Sequence, residues 1–465
     1  MKPILILACG LSVALAVRGI VVSRRRKRNP RRLPLPPGPR GLPLVGNIFQ
    51  LPQGLPWEGY DKLCKEHGDI VYLSVFGQGI LVLGSQRRAT DLLAKRGVNY
   101  SDRPVFPVAE LMHFDWAMSL LPYDHGWRQQ RQIFDEYLGH NVLQQYHPII
   151  AFGVTIMRIA YGFEDAQKNQ SLIQDVARLI LSFTDAAAPG KYLVSSFPIL
   201  KHIPSWFPGA GFKRHFQALS KEFDMAVWSP FEDAKQNFSL GKRSGHPSIA
   251  AGLIDALPEE GQPNRPELEE LARHVCAASY FGGYETTSIS AACLFLALAN
   301  HPEVQAKAQE EIDSVIGPDR LPLLTDREVL PTEDDEYDGY FIPKGTIVLP
   351  NNWAMMHDPQ VFGNPLEFNP ERYLKDGKID RLVPDAEFAA FGHGRRMCPG
   401  RQFSNDGLFL IVASILSVFS VSAPKDEAGN PVFPKLEIKN PSIATLVPFK
   451  CDITARPGRE ALLGD

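Results

Sequence analysis

One short stretch of this chain places a cysteine among glycines and arginines in a way that suits metal binding. Residues 391–400 read Phe-Gly-His-Gly-Arg-Arg-Met-Cys-Pro-Gly, and the three glycines allow the backbone to turn and to approach a flat ligand closely. Pro399 suits the first turn of a helix, which would place Cys398 at the helix N-terminus, where the helix dipole lowers a thiol pKa. The pattern predicts a thiolate that binds a metal, with Arg396 available to an anionic group. The alternative is a buried structural cysteine beside a glycine turn.

These ten residues resemble the haem-binding signature F-x-x-G-x-R-x-C-x-G of the cytochrome P-450 family, which they match at every fixed position. The resemblance implies a haem cofactor, iron protoporphyrin IX, with Cys398 as the axial ligand of the iron. It also implies that Arg396 contacts a haem propionate and that Phe391 packs on the sulfur side of the ring. Gly394 and Gly400 are the fixed glycines of the signature and are expected to lie against the cofactor.

A pair of adjacent glycines lies inside the longest stretch of helical periodicity, residues 268–298. Gly282 and Gly283 each cost about 1 kcal/mol relative to alanine in a helix interior, so the pair needs a packing or functional reason, such as a flat ligand that presses on the helix. The Thr286 hydroxyl can donate to the carbonyl of Gly282, which predicts a local kink. The stretch resembles the family's oxygen-activation helix, which implies that Glu285 and Thr286 relay protons to bound oxygen. An ordinary glycine packing site beside a surface glutamate is the alternative.

Two further motifs have counterparts in the family. Trp127 and Arg131 lie four residues apart on one face of a predicted helix, similar to the family's W-x-x-x-R helix, and the resemblance implies that both reach a haem propionate. Residues 369–373, Asn-Pro-Glu-Arg-Tyr, resemble the family's P-E-R-F turn. An E-x-x-R pair should lie on a preceding helix and bind Arg372. The only E-x-x-R string in the chain, at 270–273, lies before the oxygen-activation motif instead.

The missing E-x-x-R pair indicates an internal deletion. Judged against the family pattern, about two dozen or more residues are expected to be absent near Pro331, with one haem-flanking strand among them, and a second gap is expected near residues 148–153. Arg372 would then be a buried charge without partners, which costs about 3–5 kcal/mol. Three interpretations stay open. They are an active monooxygenase, a haem-binding or misfolded splice or gene-model product without activity, and a membrane-tethered binding protein in which Cys398 is merely buried.

The N-terminus has the features of a membrane anchor. Residues 3–22 are almost continuously apolar, which suits one bilayer crossing of about 20 residues, and the basic cluster Arg24–Arg28 follows them. Basic residues after the span predict a single-pass anchor with the body in the cytoplasm, and the resemblance implies the endoplasmic reticulum membrane. A cleaved secretory signal and a mitochondrial presequence are the alternatives. The basic and Pro-rich residues 23–40 are expected to form a stiff linker that holds the catalytic domain, residues 41–465, away from the bilayer.

Composition indicates a folded protein and excludes several classes. The 465 residues are 44% hydrophobic, which excludes disorder, and six scattered cysteines without a C-x-x-C pair argue against zinc ribbons and a disulfide framework. Residues 1–40 contain ten basic side chains and no acidic one. Because a nucleic-acid-binding protein usually spreads its basic charge over a folded face, this terminal block indicates a membrane and no nucleic acid.

The expected fold class is mainly α: the cytochrome P-450 fold, with a large helical body, a small β-region and an N-terminal transmembrane helix. Two β-rich runs, 69–76 and 79–83, predict a hairpin around Gly77-Gln78. Helical periodicity covers Arg87–Ala94, Trp127–Leu138, Val154–Tyr161, Leu172–Phe183, Lys213–Phe238, Leu268–Leu298, Val304–Ile316 and Gly407–Phe419.

The resemblance implies a monooxygenase that hydroxylates a lipophilic small molecule with O2. The chain lacks a G-x-G-x-x-G nucleotide site in a βαβ setting, so the electrons are expected from a separate NADPH-cytochrome reductase on the same membrane. Apolar residues in the family's substrate-contact region at 105–121, such as Phe106, Met112 and Trp116, suit a poorly soluble substrate. The sequence is also similar to fungal secondary-metabolism members, including O-methylsterigmatocystin oxidoreductase-like enzymes.

Overall fold

The computed structural model describes residues 28–52, 54–138, 155–187, 191–242, 245–315, 335–380, 382–440 and 445–459. The predicted anchor at 3–22 and the two predicted gaps, near 148–153 and 331, lie outside these described residues. Within them, none of the helices combines the length and the apolar character needed to cross a bilayer.

The structure is mainly helical, with 53% of its residues in helices, as the sequence predicts. In chain order the α-helices are α1 (Pro56–His67), α2 (Gln86–Ala89), α3 (Gly97–Tyr100), α4 (Pro107–Leu111), α5 (His125–Leu138), α6 (Thr155–Tyr161), α7 (Ala166–Ala187), α8 (Leu193–Ser196), α9 (Gly211–Ser239), α10 (Ile249–Asp255), α11 (Arg265–Asn300), α12 (Pro302–Val315), α13 (Asn352–Met356), α14 (Glu387–Ala390) and α15 (Arg401–Val418). A π-helix at Thr90–Lys95 continues α2, and short 3-10 helices lie at Ile48–Gln50, Pro198–His202, Pro370–Tyr373 and Gly394–Arg396.

The strands are short and form small sheets. They are β1 (Ile70–Val75), β2 (Gln78–Leu83), β3 (Asp335–Tyr337), β4 (Tyr340–Ile342), β5 (Ile347–Pro350), β6 (Leu374–Lys375), β7 (Lys378–Ile379), β8 (Phe419–Ser422), β9 (Ile438–Asn440), β10 (Thr445–Leu446) and β11 (Asp452–Ala455). β1 pairs antiparallel with β2, which pairs in parallel with β5. Antiparallel pairs also form between β3 and β4, β6 and β7, β8 and β11, and β9 and β10.

The predicted hairpin is confirmed, but its turn lies one residue earlier than expected. Val75 pairs with Gln78, so the turn residues are Phe76 and Gly77, and both have positive φ, 49° and 84°. Positive φ at both central positions is typical of the type I′ turn, whose twist matches that of the flanking strands. Leu81 and Leu83 on β2 are fully buried and anchor the strand in the core.

The chain divides into two units, and the first comprises described residues from 28–102, 335–366 and 382–396. Part of the predicted linker belongs to this unit. The carbonyl oxygen of Pro34 accepts a hydrogen bond from Phe341 N at 2.9 Å, and that of Pro37 accepts one from Tyr72 N at 2.8 Å. This Pro-rich segment is therefore bonded to strands β4 and β1, and its role in holding the domain away from the bilayer stays a prediction.

The second unit comprises described residues from 103–315, 367–380 and 397–459, and holds the larger core. Its helices are amphipathic: on α9, buried Phe216, Phe223 and Phe231 recur at helical spacing and turn one face inward. α11 contributes Tyr280 to the same core, and α15 contributes Phe403. The motif-bearing helices α5, α11 and α15 all lie in this unit.

Candidate functional site

Cys398 lies in the second unit, immediately before α15. The helix begins at Arg401, six residues earlier than the periodicity indicated, with Gly400 as its N-cap. Pro399 therefore precedes the N-cap, and the prediction that it lies in the first turn of the helix is wrong. Cys398 is two residues before the N-cap, close to the helix N-terminus as expected.

Cys398 is an exposed residue. Burial nevertheless raises the pKa of the Cys398 thiol. The N–H of Gly400 and the charges of Arg131 and Arg401 lower that pKa, but they offset only part of the rise. The prediction of a lowered thiol pKa is wrong in its net direction, because burial outweighs the helix terminus. The amide bond and the two guanidinium groups still favour the thiolate form.

The predicted W-x-x-x-R helix is confirmed as α5, and its arginine reaches the cysteine loop. Arg131 Nη1 donates to the carbonyl oxygen of Met397 at 2.6 Å, and Arg131 Nε donates to Asp135 at 3.0 Å. Trp127 is buried, with 5% of its surface exposed. The proposed contacts of both side chains with a propionate stay predictions.

α11 is the predicted oxygen-activation helix, and it lies beside the start of α15. The Thr286 hydroxyl donates to the carbonyl of Gly282 at 2.9 Å, as predicted, although α11 remains helical without interruption from Arg265 to Asn300. Thr287 Oγ1 and Ser404 Oγ are 3.4 Å apart. This part of α11 therefore lies against the start of α15, at a residue six positions after Cys398. Glu285 lies on α11, but its side chain is outside the described set.

The two glycines of α11 have different surroundings. A Cβ on Gly283 would meet Ile156 Cδ1 of α6 at 2.8 Å, whereas a Cβ on Gly282 would have nothing within 4 Å. Gly283 is thus needed for close helix packing. Gly282 is exposed and leaves open space on the face that also carries Thr286.

The two glycines should therefore respond differently to alanine. Gly282→Ala is expected to raise the free energy of unfolding of the apo-protein by about 1 kcal/mol through helix propensity. Gly283→Ala is expected to lower it, because Ile156 has to move. Urea titration of both variants measures the difference, and equal shifts in the two would contradict the packing assignment. If Gly282→Ala also retains haem less well than the parent protein, the cofactor occupies the open space at Gly282.

The first unit holds residues 391–396 of the signature. Gly394 is buried with φ +65°, and Gly392 has φ +80°, so the backbone here requires glycine. Arg396 Nε donates to the carbonyl of Ser101 at 2.7 Å. Phe391 is half-buried. The cofactor contacts predicted for Phe391, Gly394 and Arg396 stay predictions. At Gly400, φ is −84°, so other residues could adopt the same backbone conformation.

One cluster of rings joins regions that the family resemblance marks for substrate contact, which contain Phe114, Trp116, Phe183 and Phe281. Sequence reasoning missed Phe223 and the glutamine beside the cluster. Phe114 contacts four rings, at centroid distances of 5.6 Å to Trp116, 5.0 Å to Phe183, 4.9 Å to Phe223 and 5.6 Å to Phe281. Gln130 of α5 bonds the loop that carries Phe114 and Trp116. The apolar composition of 105–121 was visible in the sequence, but the partners come from α7, α9 and α11, which are distant along the chain.

The turn at 369–373 is held differently from the family pattern. Arg372 is half-buried, its Nε donates to the carbonyl of Asn369 at 3.0 Å, and its Nη2 donates to the carbonyl of Glu367. The neighbouring Glu371 pairs with Lys307 of α12. The expected unpaired buried charge at Arg372 is therefore not present, because backbone carbonyls of its own turn accept its hydrogen bonds.

The Cytochrome P450 family model matches residues 36–157, 151–332 and 321–447 of this chain. These segments cover most of its length, and the chain belongs to the cytochrome P450 family. Consecutive matches overlap at residues 151–157 and at residues 321–332.

Several named relatives are fungal monooxygenases. Cytochrome P450 monooxygenase COX1 of Coprinopsis cinerea is 45% identical over 97% of this chain and 98% of its own length. COX2 of the same fungus is 35% identical over 97% of this chain and 93% of its own. Cytochrome P450 monooxygenase claR of Ampulloclitocybe clavipes is 35% identical over 92% and 87%. This chain is accordingly a cytochrome P450 monooxygenase, and the family's cofactor is a haem whose iron is ligated by thiolate.

The residues around Cys398 fit such a haem. They supply one thiol, that of the exposed residue Cys398, with the Gly400 amide at the sulfur and the charges of Arg131 and Arg401 acting on it. Haem iron accepts a cysteine thiolate as its axial ligand. On α11, the open space at Gly282 leaves room for a flat ligand. Cys398 would hold the iron, as the sequence predicts.

Proposed function

We propose that this chain inserts one oxygen atom of O2 into a lipophilic small molecule of fungal secondary metabolism, while the other oxygen atom leaves as water. Two electrons come from NADPH through a separate membrane-bound reductase, and two protons come from solvent. The haem, when bound, supplies the iron that binds oxygen and the oxidising power. The observation that carries the proposal is the exposed Cys398 just before α15, with Arg131 of α5 bonded to the carbonyl of the preceding Met397.

The protein's own contribution to the chemistry is to hold protons near the oxygen site. The Thr286 hydroxyl donates a hydrogen bond to the Gly282 carbonyl, so its oxygen lone pairs remain free to accept hydrogen bonds. Its side chain is exposed on α11. Glu285, one residue before, is the proposed acid that renews the proton at Thr286.

Apolar side chains in the second unit support the proposal that the substrate is lipophilic. Met112 is fully buried, and Phe114, at 8% exposure, joins the ring cluster that reaches Phe281 of α11. Aromatic surfaces of this kind bind apolar molecules through the area that they remove from water. The narrower likeness to O-methylsterigmatocystin oxidoreductases stays a prediction.

Membrane attachment through residues 3–22, at the endoplasmic reticulum with the body in the cytoplasm, remains part of the proposal. Deletion of 3–22 is expected to move the protein from the membrane pellet to the supernatant, because the apolar run supplies the insertion energy. Arg24→Gln with Arg25→Gln is the control and should leave the protein in the pellet. A deletion variant that sediments with membranes as fully as the parent would refute the anchor.

We also propose that this chain lacks two segments that its relatives contain. The alignment with COX1 runs over 509 positions, at least 44 more than the 465 residues of this chain can fill. The family model matches in three separate segments, which meet at residues 151–157 and 321–332. These positions support the predicted gaps near 148–153 and Pro331. The direct pairing of β2 with β5 and the bonded Arg372 support a chain that folds without these segments.

Insertion of the corresponding COX1 residues between Leu330 and Pro331 tests the larger gap. The chimera is expected to retain severalfold more haem after purification, because a missing pocket wall is restored. An insertion of equal length made of Gly and Ser is the control. Equal haem retention in the chimera, the control and the parent would contradict the deletion.

The activity itself is tested with the purified full chain in liposomes that contain an NADPH-cytochrome reductase. The reduced protein with carbon monoxide should show the red-shifted Soret band of thiolate ligation. Lipophilic extracts of a fungal culture, incubated with NADPH and 18O2, should then yield products that carry one 18O atom. A haem-replete preparation that labels no compound in such extracts would count against the proposed function.

A further inference from the structure

One carboxylate of strand β3 holds both ends of the short helix α3 in the first unit. Arg96, the N-cap of α3, donates through Nη1 to Asp335 Oδ1, and the hydroxyl of Tyr100, its last residue, donates to Asp335 Oδ2 at 3.0 Å. Arg96 and Tyr100 are four residues apart, so both side chains lie on one face of the helix. Only 15% of the Asp335 side chain is exposed. The two bonds therefore fix α3 against β3.

A helix as short as α3 depends on contacts of this kind. It spans the four residues Gly97–Tyr100, and a single turn is unfavourable in isolation because several dihedral angles are fixed for one hydrogen bond. Arg96 Nη1 makes a second bond to β3, to the carbonyl oxygen of Glu336 at 2.9 Å. The Arg96 guanidinium also lies 5.1 Å from the ring centroid of Tyr337. Strand β3 thus stabilises the turn that α3 forms.

The residue that follows α3 binds the arginine of the signature. Ser101 is buried, with 3% of its surface exposed, and its hydroxyl donates to the carbonyl of Gly97 at 2.6 Å. The carbonyl oxygen of Ser101 accepts a hydrogen bond from Arg396 Nε at 2.7 Å. Because Nε belongs to the planar guanidinium, this bond fixes the plane and the direction in which the Nη atoms point. The position of α3 therefore sets the orientation of Arg396.

Two other carboxylates of the β3–β4 hairpin bind arginines outside α3. Glu336 Oε2 accepts a hydrogen bond from Arg31 at 2.7 Å, and Asp338 Oδ2 accepts one from Arg88 at 2.6 Å. Asp335 differs from them because its bonds are made to the helix that precedes Ser101. Glu336 lies next to Asp335 on the same strand, so it provides a matched comparison.

We propose that Asp335 is a positioning residue for the predicted haem-propionate contact of Arg396: its bonds to α3 fix the Ser101 carbonyl, which orients the guanidinium. The inference rests on the proposed function and adds a residue of β3 to the groups that decide how firmly the cofactor is held. A guanidinium that already points at a carboxylate loses less freedom when it binds it. Without the Asp335 carboxylate, α3 gains freedom and haem should dissociate faster.

Asp335→Asn and Glu336→Gln form the matched pair for the test, since each removes one negative charge from β3. Haem loss is measured as the rate of transfer from the purified protein to an excess of apo-myoglobin. Asp335→Asn is expected to lose haem about fivefold faster than the parent, the scale of one hydrogen bond, whereas Glu336→Gln should lose it at the parent rate. An unchanged rate in Asp335→Asn, or an equal increase in both variants, would overturn the proposal.

An Arg396→Lys background separates positioning from a general loss of stability. Lysine lacks the planar guanidinium that the Ser101 carbonyl orients. Asp335→Asn should therefore add nothing to the rate of haem loss in this background, whereas independent effects would multiply. In resonance Raman spectra, the bending band of the haem propionates should shift in Asp335→Asn as it does in Arg396→Lys. Rates that multiply, or a propionate band at the parent position in Asp335→Asn, would contradict the positioning role.

Hydrogen exchange of the apo-protein tests the bonds to α3 without haem. Backbone amides of 97–101 should exchange faster in Asp335→Asn and at the parent rate in Glu336→Gln. If Asp335→Asn does not hold haem, Tyr100→Phe, which removes one of the two bonds, should lose haem about twofold faster than the parent, and an unchanged rate contradicts the proposal. A parent that binds no haem would be a failure of the proposed function, whereas unchanged exchange in Asp335→Asn is a failure of this inference.

Discussion

Replacement of Cys398 by alanine should abolish haem incorporation while leaving the apo-fold intact. Cys398 supplies the only thiolate of the signature, so the haem-to-protein ratio is expected to fall from near one to the background of non-specific haem binding. Because the side chain is exposed, its truncation removes little packing, and the far-UV circular dichroism of the apo-protein should not change. Haem content and the carbon monoxide spectrum measure the effect.

Cys293→Ala is the matched control for this experiment. Cys293 lies on α11 in the same unit and is half-buried, so its loss removes a thiol without removing the predicted ligand. The control should keep both haem and the red-shifted band. A Cys398→Ala protein that retains stoichiometric haem with the thiolate spectrum would refute the ligand assignment, and with it the haem-thiolate chemistry of the site.

Replacement of Thr286 by alanine should separate oxygen consumption from product formation. General acid–base groups contribute about 10²–10⁴ in rate, so product formed per O2 consumed is expected to fall at least about tenfold while NADPH oxidation continues. The lost hydroxyl is the one that bonds the Gly282 carbonyl on the exposed face of α11. Product and hydrogen peroxide are measured against O2 in the reconstituted system.

Two variants separate the proton relay from a structural effect. Thr286→Ser keeps a hydroxyl and should restore most of the coupling. Ser290→Ala removes a hydroxyl one turn later, where Ser290 Oγ donates to the carbonyl of Thr286 at 3.0 Å, and should leave the coupling unchanged. If Thr286→Ala couples as well as the parent, Thr286 has no part in proton delivery.

The larger helices and the hairpin were predictable because their signals are local. Periodicity found α9 and α11 to within a few residues at each end, since buried side chains at helical spacing need only the neighbouring turns. The ends of the helices were predicted less accurately. α15 begins six residues before its predicted start, because its first turn is polar and the apolar pattern begins later.

The details of the site were less predictable than its location. The same Gly-Gly pair contains one packing glycine and one that faces open space, and only the position of Ile156 on α6 separates them. The thiol pKa moved opposite to expectation because burial, which depends on the whole fold, exceeded the local effect of the helix terminus. Gln130 stands among the polar residues of α5, and nothing in that pattern distinguishes it from an exposed side chain.

The sequence by itself determined the chemistry of this protein. A cysteine among glycines and an arginine, in fixed order, defines the type of ligand and cofactor, because the requirements of a metal-binding thiolate are met within ten residues. Tertiary structure alone decided which distant segments pack against one another around these motifs. The stack of Trp116 on His274 and the hydrogen bond from Phe341 of β4 to Pro34 each join segments far apart in the chain, and such contacts arise from packing that no local pattern encodes.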